Sequence, residues 1–285
     1  MAANAARDIF AVKAAPTDTE SGVFAVSEPT LLVDKQDGIC TLTLNRPEAM
    51  NSLSLAMLAA LHAALEEIAF DPAVRCLIVT GAGDKAFCAG ADLKERAGMD
   101  PVQVRRCVAQ IRGVMDKLEN LPMPTIAAVN GAALGGGTEL ALACDLRVVA
   151  ETAKMGLTET SLAIIPGAGG TQRLPRLIGR AKAKELIFTA RRIDAGECLA
   201  VGLANRVVAP AELLEAARVL AVEIGKNGPV ALKAAKRAID RGLEMDLGNA
   251  LVFESTCYEM TIPTEDRIEG LNAFREKRKP VYKGR

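Results

Sequence analysis

The chain has 285 residues, half of them apolar, with 35 basic residues balanced by 35 acidic ones. That length and apolar content can bury a large core, and the absence of net charge argues against a global pull toward nucleic acid or acidic ligands. A single histidine, no C-x-x-C among seven cysteines, and no G-x-x-x-x-G-K-[ST] or H-E-x-x-H string argue against a histidine triad, a histidine-rich metal site and a P-loop.

Residues 1–28 mix Arg7 and Lys13 with Asp8, Asp18, Glu20 and Glu28, too acidic for a targeting peptide, and read as a disordered extension. Residues 31–33 and 40–44 read as two paired strands. A helix is expected over 52–69, with Leu55, Leu58, Leu61, Leu65 and Ile68 on one face and Pro72 ending it. His62 falls on that helix and reads as a surface or boundary residue. Residues 74–80 form a strand that runs into a glycine-rich segment, 81–92. Positions 81–86 formally match G-x-G-x-x-G/A, but no amphipathic helix begins there and no acid follows at the distance a dinucleotide site needs.

Residues 124–130 read as a buried strand and 140–144 as an apolar helix, so the run Gly135-Gly-Gly137 sits at a strand-to-helix junction. Glycines there let backbone N–H groups approach a ligand oxygen without a side chain intervening. Taken alone, such a run is more often a packing device, and Glu139 just after it a dipole-complementing carboxylate. Glu139, however, is embedded in Leu140-Ala-Leu-Ala143, and a buried carboxylate needs a partner or a task. A second carboxylate, Glu159, follows about twenty residues later, before Pro166-Gly-Ala-Gly-Gly-Thr-Gln-Arg173. Together they form a candidate acid/base pair beside an anion site.

Strands are then expected at 146–150 and 203–208, and helices over 211–226, 229–241, 246–258 and 264–277. No apolar run has the ~18–20 residues of a membrane span. The odd cysteine count reads as reduced intracellular thiols, and Cys88 and Cys144 as small core residues without a histidine to activate them.

Asn45-Arg-Pro, Phe87-Cys-Ala-Gly-Ala-Asp-Leu-Lys-Glu95, Ile126-Ala-Ala-Val-Asn-Gly131, Ala133-Leu-Gly-Gly-Gly137, Cys144-Asp and Ile165-Pro-Gly-Ala-Gly-Gly-Thr-Gln-Arg173 resemble, in order and from about residue 30 to the end, the enoyl-CoA hydratase/isomerase (crotonase) family. The strings Ala89-Gly-Ala-Asp-Leu-Lys-Glu-Arg-Ala97 and Thr261-Ile-Pro-Thr-Glu-Asp-Arg-Ile-Glu-Gly270 most resemble its 3-methylglutaconyl-CoA hydratase branch, which includes a homologue described as binding AU-rich RNA. The resemblance implies an α/β spiral of repeated ββα units over residues 29–210, followed by a helical trimerisation region over 211–285.

It also implies an oxyanion hole from the backbone N–H groups of Ala91 and Gly136, and Glu139 and Glu159 as the catalytic glutamates that add water to an enoyl thioester. Family members lacking one of the two glutamates run isomerisation or other enolate chemistry. Coenzyme A, entering as part of the substrate with no separate cofactor or metal, would lie along Lys85, Ala89, Ala91, Asp92, Leu93 and Lys94, with Ala49 and Gly136 nearby and Lys277 reaching a neighbouring subunit. Where related hydratases carry a lysine after Asn-Arg-Pro, this chain has Glu48.

The implied partners are an acyl-CoA and further copies of the chain, as a homotrimer or a dimer of trimers. The location would be the cytoplasm in a bacterium or the mitochondrial matrix in a eukaryote. RNA is a disfavoured partner, because phosphate binding needs a basic face and residues 51–70 contain neither Lys nor Arg. The acyl group stays open: 3-methylglutaconyl, a short fatty enoyl chain, or an isomerase substrate. A carboxylate-bearing acyl group would need a cation in its pocket, which the sequence alone does not place.

Overall fold

The structure, a computed structural model, describes residues 8–11 and 28–285. β1 (Asp8–Ala11) pairs antiparallel with β2 (Leu31–Gln36), which turns at Asp37-Gly38 into β3 (Ile39–Leu44). Both turn residues have positive φ, 53° and 80°, the geometry that matches a tight turn to the strands' twist. Within the extension expected over 1–28, Asp-Ile-Phe-Ala pairs with the edge of β2. The rest of that expectation lies outside the described residues.

A 3₁₀ turn at Pro47–Ala49 leads to α1 (Leu55–Phe70), whose N-cap Ser54 accepts the Met57 N–H and whose buried face includes Leu58, Leu61, Leu65 and Ile68. Three successive units then share one plan. The first is β4 (Cys76–Gly81), β5 (Ala86–Cys88), the single turn α2 (Leu93–Arg96) and α3 (Pro101–Glu119). The second is β6 (Thr125–Val129), β7 (Ala132–Leu134) and α4 (Gly136–Leu142). The third is β8 (Leu146–Ala150), β9 (Lys154–Gly156), α5 (Gly170–Ile178) and α6 (Arg180–Thr189). β10 (Ile193–Asp194), α7 (Ala195–Ala200) and β11 (Arg206–Val208) complete the sheets.

The first strand of each unit joins a seven-stranded sheet, ordered β1-β2-β3-β4-β6-β8-β11, and the second a four-stranded sheet, ordered β10-β9-β7-β5. From β3 to β11 the large sheet is parallel, as is β5-β7-β9. Parallel strands covered on both faces read as near-continuous apolar runs, and β4, β6 and β5 are buried at every position. This is the spiral of ββα units that the resemblance implies.

The chain then turns helical, with α8 (Leu213–Gly225), α9 (Pro229–Gly242), α10 (Leu247–Glu259) and α11 (Glu265–Arg275). α8 lies on β4, β6 and β8 with Leu213, Ala217 and Ala221 buried, while α9 and α10 pack chiefly on each other. Lys236 of α9 reaches back to Asp145 at 2.8 Å, whose carboxylate also accepts the Thr125 N–H at 2.7 Å and so ties the entries of β6 and β8 together.

Candidate active site

The glycine run builds the centre of the site. Gly137 abuts the first unit so closely that a Cβ on it would lie 1.9 Å from the Cys88 carbonyl oxygen. Gly135, at φ +52°, is the N-cap of α4, and a Cβ there would sit 3.2 Å from Glu159 Oε1. Thr138 fixes the helix from inside: its hydroxyl donates to the Ala133 carbonyl at 2.6 Å and accepts the Gly156 N–H at 3.1 Å. Arg147 closes the other end. Fully buried, it donates to the carbonyls of Leu203, Cys144 and Ala141, a cation set where the α4 carbonyls converge.

Residues 89–92 run beside 50–53, with Leu53 N–H donating to Gly90 O at 2.8 Å and Asp92 N–H to Leu53 O at 3.2 Å. Such a ladder uses alternate peptide groups, so the Ala91 N–H faces away from it. Gly136 is the first residue of α4, where a helical N–H has no partner within its own helix. A Cβ on Gly136 would lie 3.6 Å from the Ala91 nitrogen, which makes the two amides neighbours. Neither donates to another group among the described residues. They come from different units of the spiral and meet at one point.

Both glutamates line the same cavity of about 390 Å³, together with Ala91, Gly136 and apolar residues such as Val108 and Ile111 of α3. Glu139 is 3% exposed, and its Oε1 accepts the N–H groups of Ala168 and Gly170, each at 2.8 Å. Burial holds its pKa above the ordinary carboxylate value, against the smaller lowering effects of those two bonds and of the nearby charges of Arg173 and Arg112. Glu159 opens a 3₁₀ turn, Glu159–Leu162, and its buried Oε2 has no hydrogen-bond partner among the described residues. Burial, with the Glu139 charge added, pushes its pKa up to about 7, against relief from its own backbone amide and from Arg96. Burial thus raises both carboxyls, Glu159 to about 7.

Of the remaining candidate residues, Ala89 and Leu93 line this cavity, whereas Ala49, Lys85, Asp92, Lys94 and Lys277 do not. Ala49 belongs to the neighbouring 3₁₀ turn, and Lys85, Lys94 and Lys277 are exposed. The Asp92 carboxylate is occupied: it caps α2 through the N–H groups of Lys94 and Glu95 and pairs with Arg46 at 3.0 Å. Burial alone would raise its pKa, but these partners hold it below the ordinary value. His62 is on the surface of α1, 3.8 Å from Glu66. All seven cysteines are buried and unpaired, and burial pushes Cys88 and Cys144 up to about 12, so neither thiol is an available nucleophile near neutrality.

Residue types alone miss several members of the site. Arg173, at the end of the second glycine motif, donates to the Ala168 carbonyl at 2.8 Å while pairing with Glu119 at 2.6 Å and Asp116 at 3.0 Å. It straps the loop that supplies the amides for Glu139 to the end of α3. Arg96 and Arg192 are the basic residues of the cavity lining. Among the described residues no group of three or more histidine, cysteine, aspartate or glutamate side chains is arranged to hold a metal ion.

The enoyl-CoA hydratase/isomerase family model matches residues 34–285. The methylglutaconyl-CoA hydratase of human mitochondria is 51% identical over 257 residues, covering 89% of this chain and 76% of that protein. The mitochondrial enoyl-CoA hydratase domain-containing protein 2 of Bos taurus is 49% identical, with 89% and 87% covered. Among solved structures, an enoyl-CoA hydratase from Bacillus anthracis superposes with a TM-score of 0.89 at 55% identity, covering 90% of this chain and all of that one. A match over most of the sequence, on the same fold, places this chain in the enoyl-CoA hydratase/isomerase family, as an enzyme of the hydratase type.

Proposed function

We propose that this enzyme adds water across the 2,3 double bond of an enoyl-CoA, with 3-methylglutaconyl-CoA as its substrate. The observation that carries the reading is the meeting, on one cavity, of two buried carboxyls, one held by two amides and one with an oxygen that has no partner among the described residues, and two unpaired backbone amides. The Ala91 and Gly136 N–H groups hold the thioester oxygen as it becomes an enolate; one such donor is worth roughly 2.7–4 kcal/mol of transition-state stabilisation in other enzymes.

Glu139, with Oε1 committed to two amides, uses Oε2 to take a proton from water as the water oxygen bonds to the β-carbon. Glu159, able to carry a proton near neutrality, gives it to the α-carbon. One proton is taken and one given, and exchange with solvent resets the pair. The acyl identity is supported by the human relative's name and identity; a short fatty enoyl-CoA is the alternative. Exposed Lys85 and Lys94 serve the coenzyme A phosphates, and Lys277 does so from a neighbouring subunit of a trimer.

Loss of the ultraviolet absorbance of the conjugated thioester tests this on crotonyl-CoA and 3-methylglutaconyl-CoA. Wild type is expected to hydrate the second faster, with Glu139→Gln and Glu159→Gln each slower by ~10²-fold or more. Full activity in either variant would overturn the two-glutamate mechanism.

A further inference from the structure

Arg96 ends α2, five residues beyond the Ala91 amide, and is half-buried on the wall of the cavity that holds Glu139 and Glu159. Among the described residues its guanidinium has no hydrogen-bonded or ion-paired carboxylate, unlike Arg46, Arg173 and Arg191, each of which is paired. A partly desolvated cation is costly to leave without a counter-charge. Its charge acts on Glu159 and on the buried Cys107 thiol of α3. It makes no ion-pair contact with Glu159, so it is not consumed by the proton-carrying carboxyl. Arg192, the other basic residue of the lining, is exposed and makes no ion pair among the described residues.

The turn that carries Arg96 is anchored at its other end. Asp92 caps α2 and is held by Arg46 and Ser52, so the wall near the thioester oxygen and the guanidinium belong to one short, fixed segment. Leu93, Val108 and Ile111 of the same lining are apolar. A planar guanidinium in such a place matches a carboxylate through two parallel N–H donors.

We propose that Arg96 is an anion subsite for the distal end of the acyl group and selects acyl-CoA thioesters whose chain ends in a carboxylate. The proposal rests on the acyl-CoA reading of the cavity but not on hydration itself. The subsite also keeps the substrate's negative charge compatible with the nearby glutamates, because the guanidinium neutralises it within the cavity.

The test is calorimetric binding of two saturated thioesters with five-carbon acyl chains, glutaryl-CoA and valeryl-CoA, to wild type, Arg96→Met and Arg192→Met. These ligands cannot be hydrated, so the outcome is separate from that of the turnover assay. Wild type is expected to prefer glutaryl-CoA. Arg96→Met should lose roughly 10- to 100-fold of that affinity, the span for hydrogen bonds to a charged group, while its valeryl-CoA affinity stays within about twofold. Arg192→Met should keep the preference. Equal weakening of both ligands in Arg96→Met would make Arg96 a coenzyme A or scaffold contact and overturn the proposal. An unchanged glutaryl-CoA affinity in that variant, a wild type without preference, or loss of the preference only in Arg192→Met would overturn it too.

Discussion

Glu139 and Glu159 are the same residue type on the same cavity, and they differ in what each carboxyl is given. Two backbone amides converge on Glu139, while the Glu159 Oε2 is buried with nothing to accept from among the described residues. A carboxyl whose folded pKa stands at about 7, above its ordinary value of 4.5, binds a proton more tightly in the folded state than in the unfolded chain. Its contribution to stability is therefore complete below about pH 4.5 and is lost as pH rises through about 7. Glu159→Gln, neutral at every pH, should melt above wild type at pH 8, with the gap closing toward pH 5; a gap independent of pH would show that the ionisation of Glu159 costs the fold nothing. Activity should follow the same group, with kcat/KM falling as pH climbs past about 7, because the proton donor is then lost.

Among the elements, α4 is the most constrained, since all seven of its residues are buried. Gly137→Ala would drive a methyl into the Cys88 carbonyl, and backbone cannot step aside as a flexible side chain can. The expected cost is about 1–3 kcal/mol or more, visible as a lower melting temperature together with lost hydration activity; a variant with wild-type melting and rate would show that α4 can shift without harm. The α4 region was legible in the sequence because Gly135-Gly-Gly137 and Glu139 carry their chemistry locally. The helices expected from 211 onward also agree with α8 to α11 to within a few residues.

The strands β5, β7 and β9, three residues each, were not legible: a period of two cannot be seen in three residues, and their pairing is decided by the packing of one unit on the next. Helix α3, absent from the sequence expectations, carries its signals openly. Asp100-Pro-Val-Gln103 forms a capping box, and Cys107, Ile111, Val114, Met115 and Leu118 make a buried stripe. Arg173 lay inside a quoted motif, but its role was out of reach, because its partners Asp116 and Glu119 are more than fifty residues away.

For the whole molecule, the informative surface is at the C-terminal end. Phe274 is 87% exposed, Leu243 81% and Leu247 73%, and Leu251, Val252 and Leu271 are also largely uncovered. Exposed apolar side chains on these helices are the kind of surface that an interface between copies of the chain would cover. Sedimentation equilibrium should return the mass of three chains or a multiple of three, and Phe274→Glu together with Leu247→Glu should shift it downward; a monomer in the wild type would remove the trimer reading and with it any role for Lys277 across an interface. The close approach of Gly137 to Cys88 bears on how such an enzyme can diversify. Backbone against backbone leaves no room to remodel the start of α4, whereas the turn bearing Leu93 and residues 161–165 after Glu159 carry exposed side chains. Descent from such a scaffold would keep one reaction intermediate and change which acyl chains reach it, so relatives with different substrates should differ first along those two segments.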